Sequence, residues 1–517
     1  MPAGWLEALA ALPAAELHAV PSGVAPQGAP AGLAAFVGQC RTLSLPRACT
    51  PPPPRAACAC AAAPALGRVL TEGVPAKKRH EVRPSSLAQA STLIAHSAFP
   101  FVFNAQVDAL AALVARVAAE ARADAVLDVG AGQGYLAQAL ALRHGLRVLA
   151  LDAVAPLAAA ADARSARMAA AAARCACRAV VPPRAVAAHF AWESPAAAAA
   201  SLQALLRDAL PPELGPKPRI VLVGLHACGD LTPNLCRAFA ASDAAAALVV
   251  VGCCYNLLTE AAGTDADADG CGAERAAAQS VLGSTAAAGG GGVAPAEPSC
   301  VDAPPGFPLS AAAAALRLRL GRDARMLACQ SGERWATPAG APSARTTAGH
   351  VFRAAMDVVL QRYYPGARKD VLSAGGRGAD QAAAEPFEPA LASPASPEDC
   401  AAFARAAHAA LGATGLDAQR APAAELAAAW RDELAPHARL LPAFCALRAA
   451  LAAPLESLIT LDRLLFLREA LGDTTTPLDG GRSAASSAAC HVLPVFDPAR
   501  SPRNLALVAC KAQPPDT

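Results

Sequence analysis

A glycine-rich turn and an acidic residue that follows it are the first groups in the sequence able to bind a ligand. The turn, Asp-Val-Gly-Ala-Gly-Gln-Gly at residues 128–134, begins within the apolar run Ala125–Val129. Glycines let the chain turn sharply and let a ligand approach the backbone. A second apolar run ends at Asp152, and a carboxylate about 20 residues after such a turn accepts hydrogen bonds from ribose hydroxyls. The predicted cofactor-binding residues are Asp128, Gly130, Gly132, Gly134, Tyr135 and Asp152.

The spacing of the glycines distinguishes two classes of cofactor. A dinucleotide-binding turn has the pattern Gly-x-Gly-x-x-Gly, and its third glycine lets helix and strand pack closely. Tyr135 occupies that third position here. The pattern Asp-x-Gly-x-Gly-x-Gly instead resembles the first motif of class I methyltransferases, which implies S-adenosylmethionine as the cofactor. A glycine-rich surface turn without a ligand is the alternative, and an NAD-binding oxidoreductase is a more distant one.

A second group of reactive side chains follows two further apolar runs. Gly224–Leu231 has the sequence Gly-Leu-His-Ala-Cys-Gly-Asp-Leu, and Gly252–Asn256 has the sequence Gly-Cys-Cys-Tyr-Asn. An imidazole and a carboxylate beside the cofactor could remove a proton from a nucleophile as it attacks a methyl group. His226 and Asp230 are therefore the candidate catalytic residues. His226 is equally compatible with a hydrogen-bonded scaffold role, and Asp230 with a helix cap.

The cysteines of these two segments admit two interpretations. Together with His226 they would meet at adjacent strand ends, where they could bind a metal ion. Small buried thiols that line a pocket are the interpretation we favour, so the sequence predicts no metal. We expect the substrate side of the pocket to include Cys228, Cys254, Tyr255 and Asn256.

These groups require a sheet that brings the ends of several strands together. Apolar runs alternate with segments of helical periodicity, which predicts right-handed βαβ units. Ligands then bind at the carboxyl ends of the strands. We predict an α/β fold with a doubly wound, mostly parallel, seven-stranded, Rossmann-like sheet. Its predicted strands are Ala125–Val129, Arg147–Leu151, Ala185–Phe190, Ile220–Leu225, Ala247–Val251, His491–Phe496 and Leu505–Cys510.

Segments rich in Ala, Gly and Pro divide the rest of the chain. Residues 1–75 are predicted to be a partly disordered extension with one helix-like segment at Trp5–Leu17. Residues 76–260 form the cofactor half of the core, and residues 486–517 complete the sheet. Between these parts we predict a disordered insertion, a helical insertion and, within the latter, a flexible tract, at residues 261–308, 309–485 and 366–396 respectively.

The loop at residues 497–504, Asp-Pro-Ala-Arg-Ser-Pro-Arg-Asn, joins the last two predicted strands. Its two prolines stiffen it by fixing backbone torsions. We expect these strands beside the fifth and fourth strands, so that the loop overhangs the substrate near His226 and Tyr255. Arg503, with Asn504 beside it, would pair with a substrate phosphate or carboxylate. The alternative is an arginine that ties the loop to a helix carboxylate.

Overall composition argues against several classes of protein. The formal net charge is +2, so no global basic field indicates nucleic-acid binding. The longest apolar run, Ala244–Leu258, is interrupted by Gly252 and is short for a membrane span. The 17 cysteines show no disulfide framework. We expect an intracellular protein, cytoplasmic or nuclear, without a membrane partner; organelle targeting stays open because the first segment is Ala-rich.

Five segments together resemble the methyltransferase-like protein 25 family, and they occur in the same order as in that family. The resemblance covers residues 75–260 and 440–512 and implies a class I fold that binds S-adenosylmethionine. It also implies that the basic segment with Lys78 and His80 folds over the mouth of the cofactor site, on the substrate side; a solvated leader is the alternative. The five segments are Lys77–Val82, Asp128–Tyr135, Gly224–Leu231, Val251–Tyr255 and Asp497–Asn504.

A weaker similarity, His-x-Cys-Gly followed by paired cysteines, is shared with tRNA ribose methyltransferases. It makes RNA the first expectation for the methyl acceptor and protein the second, although the zinc modules that those enzymes append are absent from this sequence. The predicted function is therefore that of an S-adenosylmethionine-dependent methyltransferase. The alternative is a non-catalytic binding or scaffold protein that retains the fold.

Overall fold

The computed structural model describes residues 2, 4–49, 105–174, 181–190, 194–260, 304–337, 341–365, 395–472, 489–499 and 501–512. The chain forms two compact units. All predicted site residues that the structure describes belong to the second unit. The first unit comprises Met1–Pro46, Leu327–Ser457 and Asp497–Pro502, and the second comprises Arg47–Met326, Leu458–Phe496 and Arg503–Thr517.

The second unit is built on one sheet. Its seven strands are β1 (Ala125–Val129), β2 (Val148–Asp152), β3 (Arg184–Ala187), β4 (Ile220–Cys228), β5 (Ala245–Cys253), β6 (Ala489–Pro494) and β7 (Leu505–Cys510). Their order across the sheet is β3-β2-β1-β4-β5-β7-β6. The first five strands pair in parallel, and β7 pairs antiparallel with β5 and β6. The order reverses between β1 and β4, so the predicted doubly wound, mostly parallel fold is confirmed.

Helices cover both faces of this sheet and form the first unit. The described α-helices are α1 (Trp5–Ala10), α2 (Ala14–Ala19), α3 (Ala31–Thr42), α4 (Ala105–Glu120), α5 (Tyr135–His144), α6 (Ala155–Arg174), α7 (Pro195–Ala209), α8 (Leu231–Ala241), α9 (Ala311–Ala315), α10 (Gly321–Ala328), α11 (Gly332–Trp335), α12 (Ala344–Tyr363), α13 (Pro397–Ala413), α14 (Ala423–Ala429), α15 (Ala435–Ala438), α16 (Leu441–Ala449) and α17 (Ala452–Leu471).

The central strands are buried on both faces because successive side chains point to opposite sides of the sheet. Val126 of β1 enters an apolar cluster with α4 and α5, whereas its neighbour Leu127 enters a second cluster with α7 and α8. Strands with two buried faces are apolar throughout rather than alternating. This explains why β1, β4 and β5 could be recognised as continuous apolar runs.

The strand ends that carry the site differ from the prediction. β4 and β5 continue to Cys228 and Cys253, beyond the expected ends at Leu225 and Val251. The expectation that the last strand pair lies beside the fourth strand as well as the fifth is wrong. β4 has both edges occupied by β1 and β5, so only the outer edge of β5 is available, and β7 pairs there.

The first unit has three N-terminal helices where the sequence predicted one helix-like segment. Leu9, Leu33 and Val37 are fully buried in a cluster that also includes residues of α16. A second cluster surrounds Phe403 and Trp430, whose rings stack with centroids 4.8 Å apart. Ala-rich helices have weak apolar periodicity, which concealed the N-terminal helices in the sequence.

The region predicted as one helical insertion is shared between the two units. Within it, Leu327–Ser457 belongs to the first unit, whereas the residues up to Met326 and those from Leu458 onwards belong to the second. Length and composition would allow the segment Leu441–Leu471 to cross a membrane, but half of its most apolar window is buried inside the protein. Leu464 and Leu467 of α17 pack into the apolar cluster that contains Leu127 and residues of α7 and α8. We therefore regard α17 as a core helix.

The predicted disordered insertion at residues 261–308 includes an anchored end. Residues 261–303 lie outside the described residues, whereas Phe307 is fully buried. The Phe307 backbone N–H donates to Thr259 O at 2.9 Å, and Glu260 and Phe307 form a β-bridge. The chain therefore leaves and re-enters the core at adjacent points.

Replacing residues 262–302 with a short Gly/Ser linker should leave the free energy of unfolding unchanged or raise it by about 1 kcal/mol, because a shorter loop closes at a lower entropic cost. Phe307→Ala in the full chain should instead lower it by about 3–5 kcal/mol through loss of buried apolar contacts. Urea unfolding followed by circular dichroism measures both changes. Unfolding of the linker variant would mean that the replaced segment contributes to the core.

Candidate active site

The glycine turn connects β1 to α5 with three left-handed residues. Gly130, Gly132 and Gly134 have φ values of +72°, +57° and +72°, a region that favours glycine. A Cβ on Gly132 would have no atom within 4 Å, so the space beside this residue is open to a ligand. A Cβ on Gly134 would lie 3.1 Å from Ala161 of α6, so this glycine serves helix packing.

Asp152 fixes the shape of the turn from the end of β2. Its Oδ2 accepts a hydrogen bond from Gly132 N at 2.7 Å, and its Oδ1 accepts one from Val154 N at 2.9 Å. Each carboxylate oxygen has a second lone pair for a further donor. Asp152 can therefore hold the turn and accept hydrogen bonds from a ligand at the same time.

Asp128 is a buried acid with an unused acceptor. Its side chain is 1% exposed, and Oδ2 has no hydrogen-bond partner among the described residues. The pKa of this carboxyl is raised to about 7, chiefly by burial; a hydrogen bond with the backbone of Ala137 opposes the shift, and the negative charge of Asp152 adds to it. A buried acceptor without a partner is costly, so the site suits a ligand that brings a donor.

Tyr135 begins α5 and contacts an arginine that sequence reasoning missed. The Arg164 Cζ atom lies 4.6 Å from the Tyr135 ring centroid, and Arg164 Nη2 donates to Tyr135 Oη at 3.3 Å. Tyr135 Oη donates in turn to Gln133 Oε1 at 2.7 Å. Arg164 lies in an Ala-rich helix without a motif, so no sequence signal indicated it. The pair forms one wall beside the glycine turn.

His226 lies where β4 departs from regular pairing. Its register with β5 shifts between Gly224 and Ala227, and His226 has a φ of +61°. Such bulges and left-handed non-glycine residues are typical of functional sites, where backbone strain directs a side chain.

The exposed His226 ring is oriented by Gln106 of α4. Its Nε2 lies 3.2 Å from Gln106 Oε1. With the Gln106 amide oxygen facing Nε2, the tautomer protonated at Nε2 satisfies this contact and has Nδ1 as its basic nitrogen. Sequence reasoning missed Gln106, whose only signal was its position at the polar start of α4.

Asp230 holds two turns together. Its Oδ1 accepts from Thr259 N at 2.9 Å, and Gly306 packs directly on the same oxygen. Asp230 precedes α8, but its side chain makes no capping hydrogen bond, so the helix-cap alternative is wrong. The structure gives this carboxylate a positioning role, and its catalytic role stays a prediction.

Cys228, Cys253 and Cys254 form a thiol cluster at the ends of β4 and β5. Their three Sγ atoms lie within 4.8 Å of one another. Cys228 Sγ donates to Cys254 Sγ at 3.4 Å, and Cys253 Sγ lies 3.4 Å from Cys254 Sγ. These hydrogen bonds lower the pKa of Cys254 far below the usual range of a thiol, and the charge of Arg503 lowers it further. Cys254 is therefore the first of the three to ionise.

Two buried arginines flank Tyr255, which begins a 3-10 helix after β5. The Cζ atoms of Arg463 and Arg503 lie 5.2 and 5.3 Å from the Tyr255 ring centroid. Nε and Nη2 of Arg463 have no hydrogen-bond partner among the described residues. Arg463 lies within α17, far along the chain from any motif, so sequence reasoning missed it.

Asn504 does not belong to the substrate side. Its side chain is fully buried, and Nδ2 donates to Arg47 O at 2.9 Å and to Phe496 O at 3.2 Å. Oδ1 accepts from Arg47 Nη1 at 3.4 Å. The expectation that Asn504 faces a substrate is wrong, because the whole amide is used to hold the start of β7.

The remaining predicted substrate residues differ in what the structure shows of them. Asn256 lies within the 3-10 helix, and its carbonyl accepts from Arg325 Nη1 at 3.4 Å. Arg503 lies beside Tyr255, as expected, although it is only 4% exposed. Lys78 and His80 lie outside the described residues.

Residues 104–261 match a family of methyltransferase domains. The matched region contains β1 to β5 and all six predicted cofactor-binding residues. The chain is also similar to the probable methyltransferase-like protein 25 of Mus musculus and of Homo sapiens, with 27% identity to each over 293 residues, or 57% of this chain. The resemblance drawn from five sequence segments is confirmed.

These relatives are longer than the region that they share with this chain. The alignment spans 38% of the mouse protein and 37% of the human protein. The chain therefore matches less than two fifths of their length. No solved structure matches the chain.

The stability of the second unit should depend on the protonation of Asp128. A pKa raised from 3.8 to about 7 means that folding favours the neutral acid, so this stabilisation is complete below pH 3.8 and is lost as the pH rises through about 7. Between about pH 5 and pH 8 the free energy of unfolding should fall by on the order of a few kcal/mol.

Thermal melting across this pH range, without added ligand, tests the assignment. In Asp128→Asn, the free energy of unfolding should fall much less as the pH rises, because the asparagine amide does not titrate. Asp208→Asn, which changes an exposed carboxylate, should retain the decrease of the wild type. The same decrease in Asp128→Asn as in the wild type would assign the titration to another group.

Proposed function

We propose that this chain is an S-adenosylmethionine-dependent methyltransferase. The observation that carries the proposal is the hydrogen bond from Gly132 N to Asp152 Oδ2, which shapes an open glycine turn at the end of β1. Strand order reverses between β1 and β4, and ligands of doubly wound sheets bind at such a point. The turn and the acid that follows it therefore lie where a nucleoside cofactor would bind.

The residues present fit this cofactor in three respects. Gly132 leaves the space beside the turn open, Asp152 retains lone pairs for two ribose hydroxyls, and Asp128 Oδ2 requires a donor. When bound, S-adenosylmethionine supplies a methyl group to an incoming nucleophile. The contribution of the chain is to hold the donor and the nucleophile in a reactive orientation, which accounts for most of the rate in reactions of this type.

His226 is the candidate base in this proposal. Gln106 fixes the proton on Nε2 and leaves Nδ1 as the nitrogen that takes a proton from the acceptor. The strained backbone of His226 favours an active enzyme over the alternative of a scaffold that retains only the fold. A structural histidine would not require a conformation that costs about 1–3 kcal/mol.

RNA is the acceptor that we propose first, with protein second. The partnerless Nε and Nη2 of the buried Arg463 are suited to an anion such as a phosphate. The names of the relatives specify no acceptor, so this choice rests on the arginine and on the similarity to tRNA ribose methyltransferases.

Asp152→Ala should weaken S-adenosylmethionine binding by about 100-fold or more, because it removes two charged acceptors and the anchor of the turn. Asp152→Asn keeps one acceptor oxygen and should weaken binding less, by about 10-fold. Isothermal calorimetry measures both affinities. Asp208→Ala is the matched control and should bind like the wild type; equal affinity in Asp152→Ala and the wild type would remove Asp152 from the site.

His226→Asn should lower kcat for methyl transfer by about 10²- to 10⁴-fold, the contribution typical of a general base. Asparagine tolerates a positive φ, so the bulge should persist. The measurement is transfer of a labelled methyl group to fractionated RNA and protein, with cofactor affinity measured in parallel. His437→Asn, at an exposed position of α15 in the first unit, should have no effect, and an unchanged kcat in His226→Asn would make His226 a scaffold residue.

A further inference from the structure

The thiol cluster of Cys228, Cys253 and Cys254 is used neither by the proposed cofactor binding nor by the proposed proton transfer. The sequence favoured small buried thiols without a metal here, but Cys228 is exposed and the other two thiols are only partly buried. It combines one residue from the end of β4 with two from the end and immediate continuation of β5. Paired cysteines next to each other cannot direct both thiols to one point in a regular strand, because successive side chains point to opposite faces. The convergence of these three sulfur atoms therefore requires a specific backbone.

Backbone strain produces that convergence. Cys254 adopts a left-handed conformation with φ +44° and ψ +52°, which is uncommon for a residue other than glycine, asparagine or aspartate. It turns the Cys254 side chain back to the side of Cys253. His226, two residues before Cys228, also has a positive φ and changes the direction of the chain at the end of β4.

Packing holds the two cysteine-bearing turns against each other. Gly229 has a φ of +51°, and a Cβ there would lie 2.9 Å from Leu257 Cβ and 3.0 Å from Leu257 O. Only glycine lets the chain after Cys228 approach the 3-10 helix after Cys254 this closely. The distances among the thiols therefore depend on a tight contact rather than on side-chain rotation alone.

The geometry matches the spacing of a metal–thiolate site. A zinc ion with Zn–S bonds of about 2.3 Å in tetrahedral geometry places its sulfur ligands about 3.8 Å apart. All three Sγ atoms lie within 4.8 Å of one another, and two of the pairs are at 3.4 Å. Small adjustments of the three side chains would accommodate the ion.

The surroundings balance the charge of such a site. Three thiolates and one Zn²⁺ carry a net charge of −1, and Arg503 is 4% exposed and acts electrostatically on Cys254. Arg463 approaches the backbone on the other side: a Cβ on Gly252 would lie 2.8 Å from Arg463 Nη1. Buried cations beside a thiolate cluster lower the cost of its negative charge.

We propose that Cys228, Cys253 and Cys254 bind one Zn²⁺ ion through three thiolates, with the fourth coordination position occupied by a water molecule from solvent. Cys228 is exposed, so this position is accessible from outside. His226 is not the fourth ligand, because its Nε2 is engaged by Gln106 and its ring is not part of the cluster. Three protein ligands with one open position are typical of a reactive rather than a purely structural zinc.

Metal analysis of the full chain, expressed with added zinc and desalted, tests this proposal. The wild type should retain about one zinc per chain, and Cys228→Ser, Cys253→Ser and Cys254→Ser should each lose most of it. Cys445→Ser, at a partly buried thiol of the first unit, is the matched control and should retain the ion. Circular dichroism and thermal melting establish that each variant is folded.

Replacement of zinc by Co²⁺ gives a second readout. The wild type should show thiolate-to-cobalt charge-transfer absorption, which Cys254→Ser should weaken and Cys445→Ser should leave unchanged. The proposal is overturned by a wild type without zinc or cobalt signal, by zinc retained in all three variants, by copper or iron in place of zinc, or by a disulfide within the cluster. Failure of this proposal can be distinguished from failure of the proposed function. Metal analysis measures only the thiol cluster, whereas calorimetry with S-adenosylmethionine measures only the cofactor site.

Discussion

The parallel pairing of β1, β4 and β5 is the constraint on which the rest of the site depends. Parallel strands end at the same edge of a sheet, so the residues that follow each of them meet there. The glycine turn, His226 and the paired cysteines come from three places in the chain and reach one region for this reason. Both faces of these strands are buried, so a one-residue slip would move each apolar side chain into the wrong layer.

Opposite charges occupy the two sides of this edge. The acidic side lies at the ends of β1 and β2, where Asp128 and Asp152 are close enough for the second to raise the pKa of the first. The cationic side lies around Tyr255, where Arg463 and Arg503 meet from α17 and from the start of β7. In the proposed function the acidic side suits a cationic methyl donor, and the cationic side suits an anionic acceptor.

Two of the four described non-glycine residues with a positive φ lie between these two sides. His226 and Cys254 both adopt left-handed conformations, and each directs a reactive side chain away from the regular path of its strand. The paired, buried strands can impose such conformations because the free energy gained from their contacts exceeds the cost of the strain. Asp230 contributes by tying the turn after β4 to the chain after β5.

Signals that are local in the sequence were sufficient for the fold class and for part of the site. Apolar runs identified the strands because β1, β4 and β5 are buried on both faces, and Gly130 and Gly132 marked the turn because their φ values exclude most other residues. Asp152 followed from its distance to that turn. Each of these properties depends on a residue and its near neighbours in the chain, so the sequence by itself determined them.

Only the tertiary structure decided which distant residues meet. The contacts of Arg164 with Tyr135 and of Arg463 with Tyr255 join helices to strand ends without any motif, and Asn504 proved to be a buried anchor rather than a substrate residue. The distances among the three thiols likewise depend on the bulge in β4 and on the backbone of Cys254. These features depend on packing between segments that can lie hundreds of residues apart, and no local pattern encodes that packing.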